Sequence, residues 1–156
     1  MNKMDGIMIR KYVTTDLEQL IEIAKTLPEW FTAGGIKHMS IDLRFQHGFV
    51  ALNGSRIVGF LSFFVNESVA QIGWMGILSE FHRQGIGQKL VGKLISELKK
   101  AGIRKLRVNT LGDSVEYEPY ARTRAFYRRI GFKDFQRIKQ DNPEWPELLI
   151  LVKNIQ

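Results

Sequence analysis

Apolar and polar residues alternate from Ile7 to Val13, the pattern of a strand with one buried face. The period then changes. Leu17, Leu20, Ile21 and Ala24 recur at helical spacing and stop ahead of Pro28. Before them, Thr15-Asp16-Leu17-Glu18 reads as a capping box, with Thr15 as the cap and Glu18 reaching back. Trp30 and Phe31 follow in a short loop with Gly34 and Gly35, and a second short helix is expected over 36–45. Residues 49–52 and 57–65 are apolar runs joined through Asn53-Gly54, which supplies the positive φ values of a tight hairpin turn. The next strand, over 69–78, contains Gly73 and Gly76; glycine inside a strand marks a bulge or a close backbone approach. A long helix over 85–101 carries Leu90, Val91, Leu94, Ile95 and Leu98 on one stripe, Lys99 and Lys100 at its negative end, and Gly102 for a left-handed cap. A strand over 103–111, a helix over 120–130 stopped at Gly131, and strands over 132–138 and 148–152 complete the chain. This order describes a mixed α/β sheet, mostly antiparallel, with helices on its faces.

Bulk composition narrows the class. The 156 residues, 44% hydrophobic and 25% charged, suit one globular domain spanning 1–156, without repeat, low-complexity tract or linker. No apolar run approaches the ~20 residues that cross a bilayer, and Asp5, Gly6 and Arg10 interrupt any signal-peptide pattern at the start. The lack of cysteine excludes disulfides, a thiolate zinc site and a cysteine nucleophile, and fits a cytoplasmic location. His38, His47 and His82 show no metal-ligand spacing, so no metal is expected. The formal charge of +7, from 23 Lys+Arg against 16 Asp+Glu, attracts nucleic acid, anionic membrane or small anionic ligands. The basic residues are nevertheless spread, with modest clusters at Lys99-Lys100, over 104–107 and over 122–129.

One stretch carries more chemistry than the rest. The apolar segment Ile72 to Leu78 runs into Glu80-Phe81-His82-Arg83-Gln84-Gly85-Ile86-Gly87-Gln88-Lys89-Leu90 and then into the long helix. A strand passing through two glycines into a helix makes an anion site, because the first-turn N–H groups have no partner inside the helix and the dipole adds positive potential. A phosphorylated ligand is implied. A dinucleotide fingerprint needs a third glycine where Leu90 stands and an acid ~20 residues on, where Arg104 and Lys105 stand. A Walker-type loop is nearly matched by Gly87 and Gly92-Lys93, but the next residue, Leu94, cannot bind magnesium, and the intervening residues fit a helix.

The segment Trp74-Met75-Gly76-Ile77-Leu78-Ser79-Glu80-Phe81-His82-Arg83-Gln84-Gly85-Ile86-Gly87 resembles motif A of the GNAT superfamily, the acyl-CoA-dependent N-acetyltransferases. The family pattern is Gln/Arg-x-x-Gly-x-Gly/Ala, and His82 in its first position is a departure. The later run Thr123-Arg124-Ala125-Phe126-Tyr127-Arg128-Arg129-Ile130-Gly131-Phe132 resembles motif B, Phe-Tyr-x-x-x-Gly-Phe. The motifs are in the right order, about 40 residues apart, and the resemblance covers nearly the whole chain. It implies a central, mostly antiparallel sheet of about seven strands, splayed between the fourth and fifth and flanked by about four helices. It further implies acetyl-CoA as co-substrate and no metal. The backbone of Met75, Gly76 and Ile77 would pair with the pantetheine arm, the glycines at 73 and 76 fitting a bulge that splays the strand. His82, Arg83, Gln84, Gly85, Ile86, Gly87 and Gln88 would wrap the pyrophosphate, Asn109 and Phe126 would flank the arm, and Tyr127 would lie near the thioester sulfur.

The implied reaction is direct attack of a primary amine on the thioester through a tetrahedral intermediate. The amine, with a pKa near ~10.4, must lose a proton. The oxyanion needs a donor, for which a backbone N–H near Ile77 is the natural choice. The leaving thiolate needs an acid, and Tyr127 is the candidate. A phenol pKa of about 10 against ~8.5 for a thiol makes that transfer uphill by roughly 2 kcal/mol. Arg124 is expected to lower the Tyr127 pKa or to contact a CoA phosphate. For the base, residues 69–78 contain no acid; Glu67, Glu116, Glu118 and a water relay are the options. Trp30, Phe31 and Trp145 are the candidate acceptor-binding residues, with Trp30 and Phe31 equally suited to the core. The acidic, aromatic loop Asp141-Asn142-Pro143-Glu144-Trp145-Pro146-Glu147 would draw a cationic amine or simply decorate the surface. The acceptor is a small-molecule or peptide amine, with no nucleic-acid or membrane partner, and a homodimer is compatible with the family. Two rivals stand beside this reading: a CoA-binding regulator without catalysis, and a basic nucleic-acid-binding domain.

Overall fold

The computed structural model describes residues 6–156, so the reading of Asp5 at the chain start lies outside the described residues. Strands β1 (Ile7–Lys11), β2 (His47–Asn53), β3 (Arg56–Asn66), β4 (Val69–Ile77), β5 (Lys105–Leu111), β6 (Lys133–Lys139) and β7 (Glu147–Asn154) form one sheet in the order β1-β2-β3-β4-β5-β7-β6. Helices α1 (Leu17–Lys25), α2 (Ala33–Phe45), α3 (Ile86–Lys100) and α4 (Glu118–Arg129) cover it. Only β4 and β5 run parallel; every other pair is antiparallel. The element order matches the periodicity of the sequence throughout.

Two apolar layers hold the sheet. On one face Leu90, Leu94 and Leu98 of α3 pack with Leu61, Leu106 and Leu149 from the strands. On the other, Leu20, Ile23, Met39 and Leu43 of α1 and α2 pack with Val50 and Phe60. Each such side chain contributes about 1.5–3 kcal/mol when fully buried. Among the described residues no helix is long and apolar enough to cross a membrane.

The feature that positions the site is a parting of the sheet. β4 pairs with β5 only from Val69↔Lys105 to Ile72↔Val108, and Gly73 to Ile77 diverge from it. A bulge initiates the divergence. Leu61 pairs with Met75 and Phe63 with Ile72, leaving Gly73 and Trp74 opposite Ser62 alone. Buried Ser62 secures the bulge, its hydroxyl accepting from the Trp74 N–H at 2.9 Å and donating to Gln46 Oε1 at 2.7 Å.

Three local expectations are corrected. Residues Thr14–Asp16 form a 3-10 turn, and neither Thr15 nor Glu18 makes a side-chain capping bond among the described residues. Asp16 takes the role instead, accepting from the Val13 N–H at 2.8 Å and from Arg10 at 2.8 and 3.1 Å. A carboxylate forms charge-assisted bonds that a threonine hydroxyl cannot match. The Arg10 hydrogen bond holds the Asp16 carboxyl below the usual carboxylate range, against the opposing effect of burial. Helix α2 begins at Ala33 and absorbs Gly34 and Gly35, because Thr32 Oγ1 caps it by accepting from the Gly35 N–H at 3.0 Å. In the hairpin, Asn53 pairs with Arg56, so the loop is Gly54-Ser55 and Gly54 alone carries the positive φ, 64°.

Candidate active site

A cleft of about 690 Å³ opens where β4 and β5 part. Gly73 to Ile77 of β4 and Val108 to Thr110 of β5 form its base, and α4 contributes Tyr120, Thr123, Phe126 and Tyr127. The β5-facing backbone edge of 73–77 has no ladder partner among the described residues. Backbone groups without partners seek hydrogen bonds, so an extended ligand can lie there as an added strand.

The turn from β4 into α3 closes one end. A 3-10 turn at Ser79–Phe81 buries Phe81 and delivers His82 to the cleft. His82 Nε2 lies 2.6 Å from the Ile77 carbonyl, which can only accept, so this nitrogen carries a proton and Nδ1 is the ring nitrogen outside that hydrogen bond. Arg83 and Gly85 both take left-handed backbone, at φ 61° and 81°. For arginine this costs about 1–2 kcal/mol, whereas glycine adopts it freely. Gly85 is the N-cap of α3 and offers no capping side chain, so the first-turn amides of a 15-residue helix remain available. A Cβ on Gly87 would lie 3.1 Å from Phe126 Cζ, so glycine here allows α3 to approach α4 closely. Arg83, Gly85, Ile86, Gly87 and Gln88 line the cleft with Arg129. Gln84 does not; its Nε2 donates to the Glu80 carbonyl at 3.0 Å, and its buried Oε1 has no partner among the described residues.

Tyr127 sits in the α4 wall, 4% exposed and packed edge-on to Phe126 and Phe132 at 5.1 and 5.3 Å. Burial first, and nearby Tyr120 second, raise its phenol above the ordinary value. This corrects the expectation for Arg124. That side chain is buried and donates to the Leu111 carbonyl at 2.8 Å, so it is engaged with the end of β5 and lines no part of the cleft. Asn109 and Thr110 do line it, and the buried Asn109 Oδ1 and Thr110 Oγ1 have no partner among the described residues. No carboxylate does so among the described residues. Glu67 lies in the turn before β4; Glu116 and Glu118 are exposed near the start of α4, with Glu118 3.6 Å from Arg122. The structure does not bring these acids to the cleft.

The opposite end is aromatic. Trp30, Phe31 and Trp145 all line the cleft, joined by Trp74 and Tyr120, which the sequence reading passed over as site residues. Trp74 stacks on Phe31 at 6.1 Å, and Tyr120 meets Trp145 edge-on at 5.1 Å. Trp30 bridges α4 and the turn that carries His82. Its Nε1–H donates to the Pro119 carbonyl and to Thr123 Oγ1, both at 3.1 Å. The Tyr120 and Tyr117 hydroxyls donate back to the Trp30 and Glu29 carbonyls at 3.1 and 2.8 Å. Its ring meets His82 edge-on at 5.8 Å and carries the Arg122 guanidinium at 5.5 Å. Burial pushes the Tyr120 phenol up to about 12, with Tyr117 adding to the effect. In sequence, Trp74 stood inside a motif read for its backbone, and Tyr120 was an ordinary helix start.

Known structures share this architecture. A Desulfovibrio desulfuricans protein described as a GNAT-family acetyltransferase superimposes with a TM-score of 0.84 at 18% identity, covering 96% of this chain and 99% of its own. The ribosomal-protein-S18-alanine N-acetyltransferase of Escherichia coli follows at 0.78 and 20%, covering 96% and 94%. The PaiA N-acetyltransferase of Thermoplasma acidophilum, solved with coenzyme A, aligns at 0.71 and 21%, covering 95% and 98%. No curated protein matches the chain. Residues 15–132 match the acetyltransferase (GNAT) family, and the chain belongs to that family.

Proposed function

We propose that this protein is an N-acetyltransferase that moves an acetyl group from acetyl-CoA to a primary amine. The observation that carries the reading is one juxtaposition. An unpaired strand edge, an uncapped helix N-terminus and Tyr127, whose hydroxyl makes no hydrogen bond among the described residues, face a single cleft. Each suits one part of an acyl-CoA. The amides of Gly85 to Gln88 and the Arg83 and Arg129 guanidiniums would hold the phosphates. The β4 edge from Gly73 to Ile77 would hydrogen-bond the pantetheine amides, with Asn109 Oδ1 accepting from one of them. When bound, the thioester supplies the activated acetyl group.

The remaining tasks fall to this chain. The C–N bond forms, the C–S bond breaks, the ammonium loses its proton and the sulfur gains one. A β4 backbone N–H near Ile77 would stabilise the oxyanion. Tyr127 keeps its proton across the working range and would deliver it to the departing sulfur. Of the groups lining the cleft, the imidazole of His82, through Nδ1 in its neutral form, would accept the proton of the amine. A water relay on the backbone carbonyls would serve the same end.

That no carboxylate lines the cleft among the described residues favours one second reading, a CoA-binding regulator without catalysis. Calorimetric titration with acetyl-CoA, ATP and NAD, followed by thiol-release assays on an amine panel, separates them. Selective micromolar binding of acetyl-CoA with amine-dependent thiol release is expected. Binding without release for any amine leaves the regulator; equal binding of all three nucleotides overturns both.

A further inference from the structure

We infer that the acceptor is a primary monoamine attached to an aromatic or bulky apolar group, bound among the rings of Trp30, Phe31, Trp74, Tyr120 and Trp145. The inference rests on the acetyltransferase reading and narrows its acceptor from any amine to one class.

Two observations carry it. The first is how the rings present themselves. The polar atom of Trp74 is engaged inside the protein, its Nε1–H donating to Asp42 at 2.9 Å. That of Trp30 is held by Pro119 and Thr123, and the Tyr120 hydroxyl by the Trp30 carbonyl. With these three polar atoms engaged, Trp30, Trp74 and Tyr120 offer a ligand apolar ring faces and edges; Trp145 adds a ring whose Nε1–H makes no hydrogen bond among the described residues. They come from the α1–α2 segment, β4, α4 and the β6–β7 loop, so they surround a ligand instead of forming a flat patch. Such an enclosure rewards an apolar body of similar size.

The second is charge. The charged residues lining the cleft are arginines, Arg83, Arg122 and Arg129, and no carboxylate joins them among the described residues. Arg122 already occupies a face of Trp30. The acidic loop before β7 does not correct the balance. Asp141 and Glu144 are exposed, Glu147 is buried and accepts from the Ser114 N–H, and only Trp145 of that loop reaches the cleft. A polyamine or aminoglycoside would bring further ammonium groups with nothing to pair them. A monoamine brings a single ammonium, and that one is discharged during the reaction.

Acetylation of 2-phenylethylamine, ethylamine and spermidine at saturating acetyl-CoA tests the inference. The kcat/KM for 2-phenylethylamine should exceed that for either of the others by roughly tenfold to a hundredfold, the worth of burying one aromatic side chain. Trp145→Ala, a change in a half-exposed loop, should raise the KM for 2-phenylethylamine about tenfold while the KM for acetyl-CoA stays within twofold. Trp74→Phe, which keeps a ring in place, should retain the preference. Spermidine or ethylamine turned over as well as 2-phenylethylamine overturns the inference and leaves the acetyltransferase reading intact. A protein that binds no acetyl-CoA but binds 2-phenylethylamine, with binding lost in Trp145→Ala, overturns that reading and keeps the aromatic site.

Discussion

The two ends of the cleft are built on opposite principles. The anion end comes mainly from one contiguous stretch, Gly73 to Gln88, joined by Arg129 of α4, and works chiefly through backbone: two left-handed residues, a helix N-terminus and an unpaired strand edge. The aromatic end comes from four separated segments and works through side chains. A backbone site tolerates side-chain change as long as the chain path survives, so His82 can stand in the first motif position and tie the loop to the Ile77 carbonyl. A side-chain site has no such tolerance, but it can be reshaped without disturbing the path. One end can thus keep a common ligand while the other adapts to its own acceptor.

Changes graded by size can break or sharpen this contrast. The largest effect is expected between the two ends, at the reacting centre: Tyr127→Phe should lower kcat by about a hundredfold with little change in either KM. Because burial raises this phenol, the acid stays protonated beyond its ordinary pKa of about 10, so the wild-type rate should show no alkaline fall below about pH 10 from this group. A fall near pH 8–9 that disappears in Tyr127→Phe would overturn the raised pKa, and full turnover in Tyr127→Phe would sink the role. Next, Gly87→Val places branched carbons against Phe126 and should weaken acetyl-CoA binding about thirtyfold, roughly 2 kcal/mol, by calorimetry. If affinity is unchanged, the close approach of α3 and α4 is not what shapes the anion end.

A change remote from both ends serves as the control. Asp16→Asn should cost about 1–2 kcal/mol in urea unfolding at neutral pH and leave both KM values alone. The sign follows from the depressed carboxyl: its stabilisation is present above the unfolded pKa of about 3.9 and lost as pH falls through the lower folded value, so the two proteins should converge below about pH 4. The smallest effect is expected at Arg83→Gly. Relief of left-handed strain is offset by the entropy of glycine, so stability should move by less than about 1 kcal/mol. Acetyl-CoA affinity should fall only a few-fold if backbone dominates there; a loss approaching that of Gly87→Val would make the guanidinium the main anchor.

The same contrast explains what could be read from the chain. Element order followed from changes of apolar period, and the glycine run announced an anion site because its physics is local. Contiguity also failed locally. Helix α2 starts ahead of residue 36 because Thr32 caps it and draws Gly34 and Gly35 into the first turn, and Asp16 displaces Thr15 as the cap before α1 because Arg10 lies beside it in the fold. The splay between β4 and β5 entered through family resemblance; periodicity alone does not say that a ladder stops after Ile72. At the aromatic end, Trp30, Phe31 and Trp145 were singled out, but Trp74 and Tyr120 join them only through contacts across the fold. The same distance hid the fact that Arg124 faces the Leu111 carbonyl and that Glu116 and Glu118 stay in solvent.

The short ladder from Val69↔Lys105 to Ile72↔Val108 has a mechanical consequence. Among the described residues it is the sole strand ladder between the β1–β4 and β5–β7 portions of the sheet. An extended molecule seated beyond Ile72 would continue the seam where the chain itself leaves it open. Occupancy would then be a term in the cohesion of the fold, worth about 2.7 kcal/mol at a hundredfold excess over Kd. The thermal tolerance of the protein would follow the supply of its ligand.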